Sequence, residues 1–311
     1  MFKICILTLY FGPLPNYFNQ WLESCGWNPT INFLIITDQE INSSFDNVKV
    51  LKTNLSEIKK KFDKVMNREV ALAFPYKLCD YRPMYGLAFE NELKEYDFWG
   101  HCDIDLIWGD LRKFITNDIL KRYDKIFPLG HLALYRNTKK VNNYFLLSGS
   151  LRGDIEKVVS TNKSCVFDER YGINKIFEYN ALPLYSKEVV ADIGFRNQRM
   201  IIAGEQNINY KYQAFFIRDG KCFRSYVNNK GVVKFDEFAY IHLQKRHYDN
   251  TINETSYFIG QNHFFPLSLP ITKEIIEKIN PSKNSILERL EYLYKDYSFR
   301  INRRFKQLFI R

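Results

Sequence analysis

The chain of 311 residues has no apolar run near the ~20 consecutive residues that a bilayer span needs. Its six cysteines (5, 25, 79, 102, 165 and 222) form no Cys-x-x-Cys pair and no clustered spacing. They read as reduced core thiols rather than a disulfide framework or a zinc site. Zinc-finger spacing, an RNP-like strand and a basic zipper are also missing, so nucleic acid is not an expected partner. The apolar stretch that follows Lys3 lacks a basic leader and a small-residue cleavage site, and it stops at Gly12-Pro13. A cytoplasmic protein without a signal peptide is therefore expected. Neither internal repeats nor low-complexity segments stand out.

What is present is an ordinary globular composition, 46% apolar and 26% charged, with a high aromatic share of 16%. Core packing is the first use for so many rings. The net charge of +10 points to an acidic partner, either a phosphorylated ligand or an anionic lipid surface.

Apolar runs at 3–11, 31–38 and 48–51 predict buried strands, and 16–25, 55–73 and 77–93 carry helical spacing. Another strand is expected over 96–102. Strands alternating with helices imply an α/β protein with a mostly parallel central sheet flanked by helices, whose ligands bind outside the carboxyl ends of the strands. Further on, 111–123 reads as helix, 125–128 and 131–136 as strands, and the segment to about 180 as helices. Residues 213–240 alternate apolar and polar side chains around Asn228-Asn229-Lys230-Gly231, which reads as an antiparallel hairpin.

The most informative stretch is Tyr96–Asp110, an apolar strand running into Asp103-Ile104-Asp105. Residues i and i+2 of a strand point to one side, so these two carboxylates are expected to face one spot. Hard oxygen ligands at a strand end suit Mg²⁺ or Mn²⁺, usually completed by phosphate oxygens and water. Two further clusters could join them: Lys77-Leu78-Cys79-Asp80-Tyr81-Arg82 and Ala239-Tyr240-Ile241-His242-Leu243-Gln244-Lys245-Arg246. An imidazole fits such a metal site, and a Lys-Arg pair could neutralise diphosphate oxygens. Asp168 and Glu169, in Val166-Phe167-Asp168-Glu169-Arg170, are candidates for a general base, with His131 as a second acceptor-side candidate.

Taken together, the residues from Cys79 to Asp110 ("CDYRP…YG…YDFWGHCDIDLIWGD") resemble a group of bacterial glycosyltransferases encoded in capsule and surface-polysaccharide gene clusters. These are metal-dependent enzymes of the GT-A fold that carry an Asp-x-Asp motif. The resemblance implies a single GT-A-like domain over 1–280, with a nucleotide-binding half at 1–110 and an acceptor half at 111–280. It implies Asp103, Asp105 and His242 as ligands of Mn²⁺ or Mg²⁺, with Asp103 also near the ribose or sugar. Lys245 or Arg246 would contact the diphosphate. Thr8, Tyr10 and Phe11 would hold the base, and Asp80 and Arg82 the donor. In the wider set of related transferases the arginine follows its aspartate by three positions; here Arg82 follows Asp80 by two. The implied reaction moves a hexose from a nucleotide sugar, UDP-linked in most metal-dependent relatives, to a saccharide or lipid-linked saccharide.

Residues 281–311 form a C-terminal segment of different character. Ser285-x-x-Glu288 is a capping box, and Ile286, Leu290, Leu293, Tyr297, Ile301, Phe305 and Leu308 make one stripe at helical spacing. The last twelve residues carry Arg300, Arg303, Arg304, Lys306 and Arg311 with no acid. A basic amphipathic helix over 285–311 suits the inner face of the cytoplasmic membrane. Two rival readings are a non-catalytic carbohydrate- or membrane-binding protein and a phosphohydrolase with Asp-x-Asp. The second normally keeps that motif on its first strand, which does not fit positions 103–105.

Overall fold

The protein is described by a computed structural model covering residues 1–194, 199–204, 208–244 and 246–283, with 290, 294, 297 and 298. Most of the expected tail, including its capping box, lies outside the described residues. The described helices include none long and apolar enough to cross a membrane. None of the six cysteines forms a disulfide.

The chain divides into two compact units, 1–104 with 111–189, and 105–110 with 190–311. The halves 1–110 and 111–280 do not coincide with these units. In chain order the strands are β1 (Ile4–Tyr10), β2 (Ile31–Thr37), β3 (Val48–Lys52), β4 (Phe98–Cys102), β5 (Leu106–Trp108), β6 (Lys125–Ile126), β7 (Leu132–Arg136), β8 (Leu184–Tyr185), β9 (Val190–Asp192), β10 (Gln213–Arg218), β11 (Lys221–Val227), β12 (Val233–Phe238), β13 (Tyr240–His242), β14 (Tyr257–Ile259) and β15 (Phe264–Pro266).

The first unit holds a seven-stranded sheet in the order β3-β2-β1-β4-β7-β6-β8. β1 runs parallel to both β2 and β4, with Ile4 opposite Ile31 and Phe98, and β3 is parallel to β2. The near-continuous apolar run of β1 is what a strand covered on both faces requires. Helix Phe18–Gly26 links β1 to β2 and buries Trp21, Leu22 and Cys25. Helix Leu55–Met66 starts where Asn54 accepts a hydrogen bond from the Glu57 N–H, and ends at Asn67 in the left-handed conformation. It is therefore shorter than the 55–73 span of its charge pattern. The helical spacing over 77–93 resolves into short turns, Leu78–Tyr81, Arg82–Met84, Tyr85–Ala88 and Glu90–Leu93. Pro83 removes one amide donor there, which favours short turns over one continuous helix. The segment expected as one helix over 111–123 is likewise two, Leu111–Phe114 and Asn117–Arg122.

The second unit contains an antiparallel sheet ordered β12-β11-β10-β14-β15 and a three-stranded sheet ordered β5-β13-β9. β13 pairs antiparallel with β5 and parallel with β9. Helix Lys273–Ile279 closes a core with Ala214, Phe216 and Phe258. The hairpin expected over 213–240 is a three-stranded meander, β10-β11-β12. Its extra turn is Asp219-Gly220, where both residues have positive φ (51° and 69°), as a two-residue hairpin turn demands.

Candidate active site

The carboxyl ends of β1, β2 and β4 lie along one edge of the first unit's sheet. β4 ends at Cys102, so Asp103 and Asp105 stand in the bend before β5 rather than on a strand. Strand alternation is therefore not what directs the two side chains, because the chain turns as its pairing partner changes; their carboxylates nonetheless come within 4.8 Å of each other. Asp103 donates its backbone N–H to the His131 carbonyl (3.1 Å).

A buried guanidinium organises this edge. Arg82 Nη1 donates to the Gly130 carbonyl (2.8 Å) and to Asp168 Oδ2 (2.7 Å), while Nη2 is ion-paired to Asp103. Burial works against the Arg82 charge, yet Asp103, Cys79 and Asp168 raise its pKa well above the ordinary value. Asp168 lies deep in the protein, and burial pushes its carboxyl up to about 7 in spite of Arg82, with Glu169 adding to the rise. Gly130 is where these acids come closest to the backbone: a Cβ there would meet Glu169 Oε1 at 2.6 Å and Asp168 Oδ2 at 3.0 Å. Glu169 itself is exposed, and His131 is buried.

Behind them, Lys125 Nζ donates to the Phe127 carbonyl (2.7 Å) and to Asn174 Oδ1 (2.8 Å), and burial lowers its pKa to about 7 against the pull of Asp168 and Glu169. Asn174 also lines a cavity of about 450 Å³ with Pro128, Leu129, Arg170, Tyr171 and Lys175.

The other residues expected at a donor do different work. Asp80 is buried and its oxygens are engaged: it pairs with Lys77 Nζ (2.8 Å) and accepts from the Cys165 and Phe167 amides (2.8 Å each). That makes it an anchor for the loop carrying Asp168. Arg82 points to the acids and to Gly130. Thr8 is buried with its Oγ1 2.8 Å from Cys102 Sγ, and Phe11 belongs to the core. Tyr10 donates its hydroxyl to the Pro13 carbonyl (2.9 Å). Asp38, at the end of β2, was not among the expected residues. Its Oδ1 accepts from Gln39 Nε2 (2.8 Å) and the Gly12 N–H (3.1 Å), and these bonds lower its pKa.

In the second unit, pairing of β9 with β13 sets Asp192 opposite His242. His242 Nδ1 lies 2.7 Å from Asp192 Oδ1, and its Nε2 lies 3.5 Å from Asp105 Oδ1. Gln244 Nε2 donates to the same Asp192 oxygen (2.6 Å). The Asp105 carbonyl accepts the Leu243 N–H (2.8 Å), which ties the bend to the end of β13. Burial alone would lower the imidazole pKa; Asp105 and Asp192 outweigh it and raise it to about 10. Without a metal the ring is therefore a protonated imidazolium between two carboxylates; a bound cation would displace the Nε2 proton, and the carboxylate on Nδ1 would hold the ring with Nε2 presented, as is usual for a metal-ligating histidine. One nitrogen and one hard oxygen suit Mn²⁺ as well as other borderline divalent ions. Arg246 is committed to the Gly194 carbonyl (2.9 Å) and the Gln261 carbonyl (3.3 Å). Lys245 lies outside the described residues. Asp192 went unnoticed in the sequence because it belongs to no motif; only strand pairing brings it to His242.

No curated protein matches the sequence. Among solved structures, mouse xyloside xylosyltransferase 1 in its apo form is similar over 61% of this chain and 87% of its own, at 9% identity and a TM-score of 0.36, too slight a likeness to assign an activity. Residues 6–268 match the family described as "Family of unknown function (DUF6625)", and since that span is most of the sequence, the chain belongs to this family.

Proposed function

We propose that the protein is a metal-dependent glycosyltransferase that moves a hexose from a UDP-linked donor to a saccharide or lipid-linked saccharide acceptor. Its setting would be bacterial surface-polysaccharide synthesis at the cytoplasmic face of the membrane. The observation that carries this reading is the row Asp192–His242–Asp105, which orients one imidazole nitrogen toward one carboxylate. Asp105 and His242 would hold Mn²⁺ or Mg²⁺, with Asp103, two positions from Asp105, as the further carboxylate. When bound, the ion would offset charge on the departing diphosphate.

The chain's own residues would do the rest. Arg82 fixes Asp103 and Asp168 from within, leaving exposed Glu169 to accept the proton of the attacking acceptor hydroxyl. The acceptor oxygen forms the new bond to the anomeric carbon as the bond to the nucleoside diphosphate breaks.

The test is thermal stability with UDP and other nucleoside diphosphates, with and without Mn²⁺. A bound ligand at 100 times its dissociation constant should stabilise the wild type by about 2.7 kcal/mol. Asp105→Ala should abolish the metal-dependent part, and Asp192→Asn should weaken Mn²⁺ by roughly 10- to 100-fold. A wild type indifferent to every nucleotide would remove the transferase reading and favour a simple binding protein.

A further inference from the structure

The five-stranded sheet of the second unit has two edges of different character. β15 is three residues long and ends in Pro266, which has no N–H to offer, so that edge is poorly suited to further pairing. β12 is six residues long and contains neither Pro nor Gly. It runs in unbroken register with β11, from Val233 opposite Val227 to Phe238 opposite Cys222, without a bulge. Among the described residues it pairs with β11 alone. Apolar surface lies along this edge: Phe235 is 51% exposed and Val232 48%, although the Phe235 ring also meets Phe216 edge-on at 6.0 Å.

The hairpin fixes which backbone groups face outward. The Asn228 N–H donates to the Val232 carbonyl (3.0 Å). Hydrogen-bonded and non-bonded pairs alternate along an antiparallel ladder. Lys234 and Asp236 therefore turn their backbone groups toward β11, and Val233 and Phe235 turn theirs away from the sheet.

The side chains of this edge are complementary to themselves. Residues 232–238 read Val-Val-Lys-Phe-Asp-Glu-Phe. An antiparallel second copy centred on Phe235 sets the two Phe235 residues opposite each other, exchanging both N–H···O bonds. The same register places Lys234 opposite Asp236 twice, in the closer non-bonded pairs, and Val232 opposite Phe238. Lys234 is exposed and has no ion-pair partner among the described residues, while Asp236 is held in place by Arg224 Nε (3.1 Å). A lysine on an edge strand ordinarily wards off pairing; here it meets an acid. Sliding one strand by two residues instead sets Lys234 against Lys234 or Asp236 against Asp236, so the charges select one register.

We infer that β12 is a dimerisation edge, which pairs antiparallel with β12 of a second copy of this chain and joins their two five-stranded sheets into one. The contact is two-fold and self-complementary, as in most homodimers. It does not depend on the transferase reading.

The test is sedimentation velocity of the full chain across a wide concentration range. Wild type should sediment as a dimer that dissociates on dilution. Lys234→Glu puts like charges in both cross-strand pairs and should weaken the dimer about tenfold. Val233→Pro removes an outward N–H without taking a bond from the β11 ladder, so it should give a folded monomer. Phe235→Cys should cross-link two copies through a disulfide in air, because facing Cα atoms in a bonded pair lie about 5.5 Å apart. Val232→Cys, which does not face its own copy, should cross-link no more than wild type. Should Val233→Pro unfold, Lys234→Glu and the cysteine pair still read the edge. A wild type that stays monomeric at every concentration would overturn the inference. So would a dimer indifferent to Lys234→Glu, or one in which Val232→Cys cross-links as readily as Phe235→Cys.

Discussion

Asp168 shows how an acid singled out by its sequence neighbours can sit in an environment those neighbours do not convey. Two acids after an apolar pair suggested a base; what the sequence could not convey is that Phe167 and Asp168 are drawn inside while Glu169 stays exposed. The consequence is measurable. An unfolded Asp168 gives up its proton near pH 3.8, the folded one near 7. Between those values the native state holds a proton that the unfolded chain has released, so stability attributable to this group falls as pH rises from about 4 to 7. Asp168→Asn, which cannot ionise, should flatten that part of the profile in urea unfolding at pH 5 and pH 7. An identical slope in the variant would mean that Arg82 keeps the carboxylate charged throughout. At the same scale, Asp192 escaped notice for the opposite reason: it is a lone acid on a three-residue strand, given meaning only by the register Asp192–His242.

At the scale of elements, the long apolar runs were legible because burial on both faces demands them. β1 and β2 fall within a residue or so of their expected bounds. The weaker signals failed where a local turn overrode a periodic pattern, as at Asn67, Pro83 and Asp219-Gly220. The segment 77–82 illustrates both outcomes, since its charged residues matter, but as internal fasteners. Lys77 Nζ donates to the Val158 and Lys163 carbonyls (2.9 and 2.8 Å) as well as to Asp80, and Asp80 in turn receives the Cys165 and Phe167 amides. Short helices around residue 80 and the loop 163–168 are thus joined through one buried ion pair. Breaking such a pair from one side leaves an uncompensated buried charge, which costs about 3–5 kcal/mol. Asp80→Ala should therefore destabilise the protein by about that amount in chemical denaturation, and Lys77→Met/Asp80→Leu, which removes both charges, should recover part of it. A loss under about 1 kcal/mol for Asp80→Ala would show that water satisfies Lys77 and the two amides.

Across the whole molecule, the sequence suggested one domain read from end to end, because apolar periodicity carries no record of which distant strand a segment will pair with. The short run Leu106-Ile107-Trp108 is the case in point. It follows the most telling motif of the first unit, yet as β5 it pairs with β13, and all three side chains are fully buried. β13 is therefore sandwiched between a strand from residue 106 onward and one ending at residue 192. A fragment beginning at Val190 keeps β9 and β13 but lacks β5, exposing one edge of β13 and the apolar surface of Tyr240 that meets Trp108 at 5.3 Å between ring centroids. Such a fragment should lose cooperative unfolding and aggregate, as open apolar strand edges do. Adding a linked copy of residues 105–110 ahead of β9 should restore a cooperative transition by circular dichroism. If the fragment from Val190 already unfolds cooperatively without that addition, β5 is dispensable and the second unit is independent of the Asp-x-Asp bend that now threads into it.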